Sequence, residues 1–163
     1  MATLQLQEMK FHQGEEQMHR LLRVPERDNP TSLFMTPFAS TVLLQSPLLA
    51  LGTIDAEGRP WTSLWGGERG FARPISQEII GIQTTIDRSY DPVAEVLFEG
   101  KANGELIKPE GTGRMVGGLG INLEARKRVK LYGRLAAGAL ISTEDGAGEA
   151  QLAVKLEQSL GTS

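Results

Sequence analysis

The chain reads as a mainly β fold with short helices at its periphery, and three observations carry that expectation. Its apolar residues come in short runs that alternate with polar ones, the two-residue period of a half-buried strand. The 19 glycines and 8 prolines fall largely between those runs, as turns require. In the clearest instance, Leu48 to Ile54 and Arg59 to Trp65 flank Asp55-Ala56-Glu57-Gly58, a short polar turn whose glycine can take the left-handed conformation of a bulged hairpin loop.

The elements follow in order. Residues 12–23, HQGEEQMHRLLR, place acidic residues early and basic residues late, with Met18, Leu21 and Leu22 at helical spacing, so a short amphipathic helix complements its own dipole and ends before Pro25. His12 and His19 lack the i, i+4 pairing of a helical metal site and have no third ligand nearby; they read as surface or capping residues, with no metal. Thr36 as N-cap and Pro37 at the first helical position open a second helix to about Gln45, with Phe38, Val42 and Leu43 facing inward. Ser46-Pro47 ends it and delivers the chain into the hairpin.

In the second strand of that hairpin, Arg59, Trp61, Ser63 and Trp65 share one face, and Pro60, Thr62 and Leu64 the other. A cation, a hydroxyl and two indoles suit a platform for a planar, partly anionic ligand; the alternative is that both tryptophans pack in the core beside a surface arginine. The polar run Gly66 to Gly70 matches no phosphate-binding motif and reads as a loop. Glu78 to Gln83 reads as a third strand, and Asp91-Pro92 caps a short helix through Phe98. The charged, glycine-rich stretch Gly100 to Gly113 reads as either a lid or a disordered loop.

Gly117 to Leu135 reads as a second hairpin. Its strand presents Val129, Leu131, Gly133 and Leu135 on one face and Arg128, Lys130, Tyr132 and Arg134 on the other. Arg126, Lys127 and Arg128 are what a phosphomonoester would select, because a guanidinium fork binds phosphate oxygens in pairs; the alternative is a solvated edge guarded by charge. Ala139 to Ser142 and Ala150 to Glu157 read as the last strands, the latter with Leu152, Val154 and Leu156 inward.

Length and composition bound the rest. A chain of 163 residues is expected to form one domain, with a helical segment over 1–47, the barrel over 48–157 and a short polar tail over 158–163. There is no cysteine, so disulfides and thiolate chemistry are excluded. The formal charge of -3, from 17 basic and 20 acidic residues, gives no electrostatic case for nucleic acid. No stretch approaches a membrane span, and MATLQLQEMKF lacks the pattern of a leader, so a cytoplasmic protein is expected.

The collinear series Phe11-His12-x-Gly14-Glu15, then Leu51-Gly52-Thr53-Ile54-Asp55-x-x-Gly58-Arg59-Pro60-Trp61-x-Ser63, then Gly120-Ile121-Asn122-Leu123-x-x-Arg126-Lys127-Arg128 and Tyr132-Gly133-Arg134 resembles the pyridoxamine 5′-phosphate oxidase-like family, in the branch with an N-terminal FHxGE motif. The resemblance spans Phe11 to Leu160 and implies an FMN-binding split β-barrel, a homodimer with FMN in the groove between subunits. By the same resemblance Arg59, Trp61, Thr62 and Ser63 line the flavin, Arg126 and Arg128 take its phosphate, and Asn122 stands where members often have Asp. The implied activity is flavin-dependent oxidation or reduction of a small molecule; the alternative is a non-catalytic flavin- or phospho-ligand-binding barrel that serves as sensor, carrier or interaction module. Members of this branch usually continue past a Gln-Ser-x-Gly stretch with Asn-Cys-Pro-x-Tyr, so a shortened or divergent form is expected.

Overall fold

The computed structural model describes residues 9–162; residues 1–8, which hold most of the stretch read for a leader, and Ser163 lie outside it. Strands β1 (Leu48–Ile54), β2 (Pro60–Gly66), β3 (Ala72–Pro74), β4 (Ile79–Asp87), β5 (Met115–Asn122), β6 (Lys127–Ser142) and β7 (Ala147–Thr162) form one antiparallel sheet in the order β2-β1-β5-β6-β7-β4-β3. β2, at one end of that order, comes back beside β4, next to the other end, without a ladder between them. The Thr84 hydroxyl on β4 donates to the Gly66 carbonyl at the end of β2, 2.6 Å away. The fold is therefore mainly β with peripheral helices, a barrel left split between β2 and β4.

Alternation decides what lies inside. Leu49 and Leu51 on β1, Ile80 and Ile82 on β4, Val129 and Leu131 on β6, and Leu152 and Val154 on β7 all enter one buried cluster. Each such side chain contributes roughly 1.5–3 kcal/mol by leaving water. Helix α2 (Pro37–Gln45) packs on β3, β5, β6 and β7 through Ala39, Val42 and Leu43. Phe38 is only half-buried there and carries the Lys127 ammonium over its ring. Helix α3 (Pro92–Leu97) packs on β1 and β2 and buries Val93, Ala94 and Leu97. Helix α1 (Gln13–Leu21) buries none of its residues, and Met18 and Leu21 stay exposed beside Leu22; its amphipathic face finds no core among the described residues.

Three expectations need correction. The stretch Gly100 to Gly113 is neither lid nor disordered: Asn103 bridges Ile141, Ile107 bridges Gly138, and Ile107 is buried. Past the Met115–Arg134 pair, β6 has no β5 residue beside it, and this segment occupies the vacant edge. Ala139 to Ser142 is no separate strand, because a register shift between Leu135 and Ala137 bends β6 and lets it run on. The tail expected over 158–163 is instead strand through Thr162, paired with the start of β6, and Ser159 is buried with its hydroxyl on the Phe34 carbonyl. Its polarity hid it, since a strand that pairs by backbone needs few apolar side chains. The short β3 went unread for the same reason.

Candidate functional site

The β1–β2 hairpin forms as the turn residues demand, with Gly58 at φ 80°. The Asp55 carboxylate then organises its tip. It accepts the Arg59 amide at 2.8 Å, the Arg59 guanidinium Nε at 2.7 Å and the Trp61 indole N–H at 2.9 Å. Partial burial opposes its charge, but the Trp61 indole and the two Arg59 groups outweigh that and hold its carboxyl well below the usual range. Arg59 also meets Glu57 at 3.0 Å, so both carboxylates of the turn engage its guanidinium.

The inner face of β2 continues with a second carboxylate. Asp91, the N-cap of α3, accepts the Ser63 hydroxyl at 2.7 Å, the Trp65 indole N–H at 2.6 Å and the Ala94 amide at 2.9 Å. Trp65 is buried. The polar edges of both indoles are thus satisfied within the chain, and the Trp65 side of the face is core packing, the alternative to a ligand platform. Trp61 remains partly open, with the Arg59 guanidinium 5.9 Å from its ring centroid.

Beside β2, where the sheet fails to close, lies a groove of about 380 Å³. Thr62, Ser63 and Leu64 form one wall, and Thr85, Asp87 and Tyr90 the other. Neither Thr62 nor Thr85 spends its hydroxyl on a protein partner among the described residues, and Tyr90 is 89% exposed. Hydroxyls and a carboxylate can bind the N–H and C=O edge of a planar ring; the carboxylates Asp87 and Asp91 disfavour an anion at this end. Thr85, Asp87, Tyr90 and the bonds of Asp91 escaped the sequence reading. Asp91 was legible as a cap, but its reach to Ser63 spans 28 residues and follows only from the tertiary placement of α3.

Arg126 and Arg128 lie elsewhere. Gly66 pairs Leu48, Leu48 pairs Ile121, and Ile121 pairs Arg128, so Arg128 stands three strands from Gly66, roughly 14 Å at ordinary strand spacing. Arg59 is at the other end of β2. Thr62 and Ser63 therefore share one groove with each other, Trp61 and Arg59 sit at the hairpin tip, and the two C-terminal arginines form a third location. Arg126 has φ 53° in the β5–β6 turn, and neither it nor Arg128 forms an ion pair among the described residues. Asn122, buried at the head of that turn, donates to the Gln45 carbonyl at 3.3 Å and accepts the Ala125 amide at 3.0 Å. Among the described residues no group of three or more His, Cys, Asp or Glu is placed to hold a metal, and no helix is long and apolar enough to cross a membrane.

No family model and no curated protein matches the chain. Among solved structures, it is similar to a protein provisionally described as a pyridoxamine 5′-phosphate oxidase from Lactobacillus delbrueckii, at 13% identity and TM-score 0.46 over 79% of this chain and 95% of that one. It is also similar to a variant of HupZ from Group A Streptococcus, at 12% identity and TM-score 0.47 over 78% and 98%. An F420 reductase gives 12% identity and TM-score 0.47 over 76% and 98%.

Proposed function

We propose that the protein is a cytoplasmic, homodimeric FMN-dependent oxidoreductase acting on a small molecule. The observation that carries the reading is the groove at the split, where the open hydroxyls of Thr62 and Thr85 flank a space suited to a planar ring. Thr62 and Ser63 belong to the motif series that resembles the pyridoxamine 5′-phosphate oxidase-like family. Arg126 and Arg128, charged and without counter-ions among the described residues, suit the phosphate. A second copy is the natural way to bring such arginines to this groove. The outer face beside it carries Leu64, Ala50 and Leu119 in one row across three strands, a surface that a second copy would cover.

In this reading the flavin supplies the hydride chemistry when bound. Thr62 and Thr85 hydrogen-bond the ring edge, while Trp61 shields the hairpin end of β2 from water. Asp91 acts through β2: by fixing Ser63 and Trp65 it holds the wall of the groove in one position.

A second reading is favoured by one specific observation. Every polar group on the inner face of β2 is committed to Asp55 or Asp91, leaving none free there to move a proton. A barrel that binds flavin without turnover fits that arrangement. The experiment is the visible spectrum of the purified chain, followed by FMN and FAD titration. Flavin bands or tight uptake, weakened in Arg126→Ala and Arg128→Ala, support the cofactor. Oxidation of reduced nicotinamide above the free-flavin rate separates enzyme from binder, and absence of any uptake overturns both.

A further inference from the structure

A second, larger groove lies along β3, β4 and β7; it meets the groove at the split at Gly66 and Thr85, but Arg73, Ile75 and Gln151 belong to it alone. It holds about 700 Å³ and is bounded by the Gly66–Phe71 loop, Arg73, Ile75, Gln83 and Gln151. Arg73 is exposed and forms neither an ion pair nor a side-chain hydrogen bond among the described residues. Strand alternation explains where it stands: Ala72 is buried, so Arg73 is outward, opposite Gly81, which in turn pairs Ala153. The next outward pair on that face is Gln83 and Gln151; Gln83 donates to the Glu149 carboxylate at 3.4 Å, and Gln151 supplies an amide with no side-chain partner among the described residues. Ile75 lies over Gly81 and is otherwise exposed, forming an apolar wall.

An arginine on an edge strand often serves only to block pairing with another sheet. The composition around Arg73 asks for more than that, because an open groove lies beside the charge and its rim adds the Gln151 amide and an exposed aliphatic side chain. Arg69, also on the rim, is already held by Glu124, and Glu68 adds a negative charge. One uncompensated guanidinium suits a single acidic group and disfavours a polyanion.

We propose that this groove is a ligand site for a small organic anion, a carboxylate or phosphate on an apolar body, with Arg73 binding the acidic group and Ile75 covering the body. The groove abuts the one at the split through Gly66 and Thr85, but the two residues that carry this proposal, Arg73 and Ile75, lie outside the groove at the split.

The test is titration of the purified chain with benzoate, phenyl phosphate and benzyl alcohol, followed through the backbone amide resonances of Gly67, Gly70 and Gly81. Benzoate, phenyl phosphate or both are expected to shift these amides saturably, and the tighter of the two identifies the acidic group. Arg73→Gln is expected to weaken that binding about tenfold or more, with the melting temperature unchanged, and Arg73→Lys to fall between. The proposal is overturned if neither anion shifts these amides, if Arg73→Gln titrates like the parent, or if benzyl alcohol binds as well as the anions. Flavin uptake is read separately by absorbance, so anion binding without flavin overturns both flavin readings and leaves this proposal standing.

Discussion

The carboxylate of Asp91 and the indole N–H of Trp65 meet at 2.6 Å, joining the first residue of one helix cap to a strand 26 residues earlier. The same carboxylate holds Ser63 and the Ala94 amide, so one side chain pins β2 to α3 along the wall of the candidate groove. Replacing it by alanine removes the cap and leaves a buried indole N–H without an acceptor. We expect Asp91→Ala to lose roughly 2–4 kcal/mol of stability, from about 1 for the cap and the remainder for the stranded donors. Asp91→Asn, which keeps one acceptor oxygen, is expected to lose less. Urea denaturation checks both, and equal losses would show that the acceptor oxygen kept by asparagine contributes nothing measurable.

Asp55 makes stability depend on pH in a definite direction. Its carboxyl lies below the ordinary range in the folded protein and at about 3.9 in the unfolded chain. A depressed folded value means that the stabilisation is fully present above the unfolded value and is lost as pH falls through the folded one. The parent is therefore expected to be more stable than Asp55→Asn at neutral pH, with the difference closing only in strong acid. Urea midpoints between neutral pH and the acid limit check this; a difference that grew on acidification would contradict the assignment.

Two glycines of the sheet, the buried Gly133 and the partly exposed Gly117, separate collapse from tolerance. A Cβ at Gly133 would collide with the carbonyl oxygen of Lys155, at the register shift between Tyr132 and Gly133, whereas a Cβ at Gly117 would meet nothing within 4 Å. Gly133→Ala is expected to cost more than about 2 kcal/mol or to prevent folding, because backbone must move to admit it. Gly117→Ala is expected to stay within about 0.5 kcal/mol of the parent. Thermal melting of the pair is the measurement.

Asn122 explains why an amide, rather than the carboxylate that resembling sequences often carry, works here. It donates through Nδ2 to the Gln45 carbonyl and accepts through Oδ1 from the Ala125 amide. An aspartate can do only the second and would set a charge against the Gln45 carbonyl in a buried position. Asn122→Asp is expected to destabilise by roughly 1–3 kcal/mol at neutral pH and by less in acid, where a protonated carboxyl can donate again. Chemical denaturation at neutral and acidic pH checks the sign.

What the sequence determined by itself is local. The β1–β2 turn was legible because Gly58 must take a positive φ, and α2 and α3 because Thr36-Pro37 and Asp91-Pro92 are cap and first-turn residues whose bonds close within three positions. The inward residues of β6 and β7 were legible because alternation depends only on the chain's own pleat. What the tertiary structure decided are relations between distant segments. That Ile107 covers the edge of β6, that residues 158–162 are strand and that Arg73 stands opposite Gly81 all depend on which backbone lies alongside, and backbone pairing leaves little trace in side-chain type. The tryptophans mark the boundary most clearly. Their alternation on β2 was readable, but whether their faces met a ligand or a carboxylate was decided by Asp55 six residues away and Asp91 twenty-six away. A hydrogen bond is a short-range directional contact, and only the folded path of the chain brings its two ends within reach.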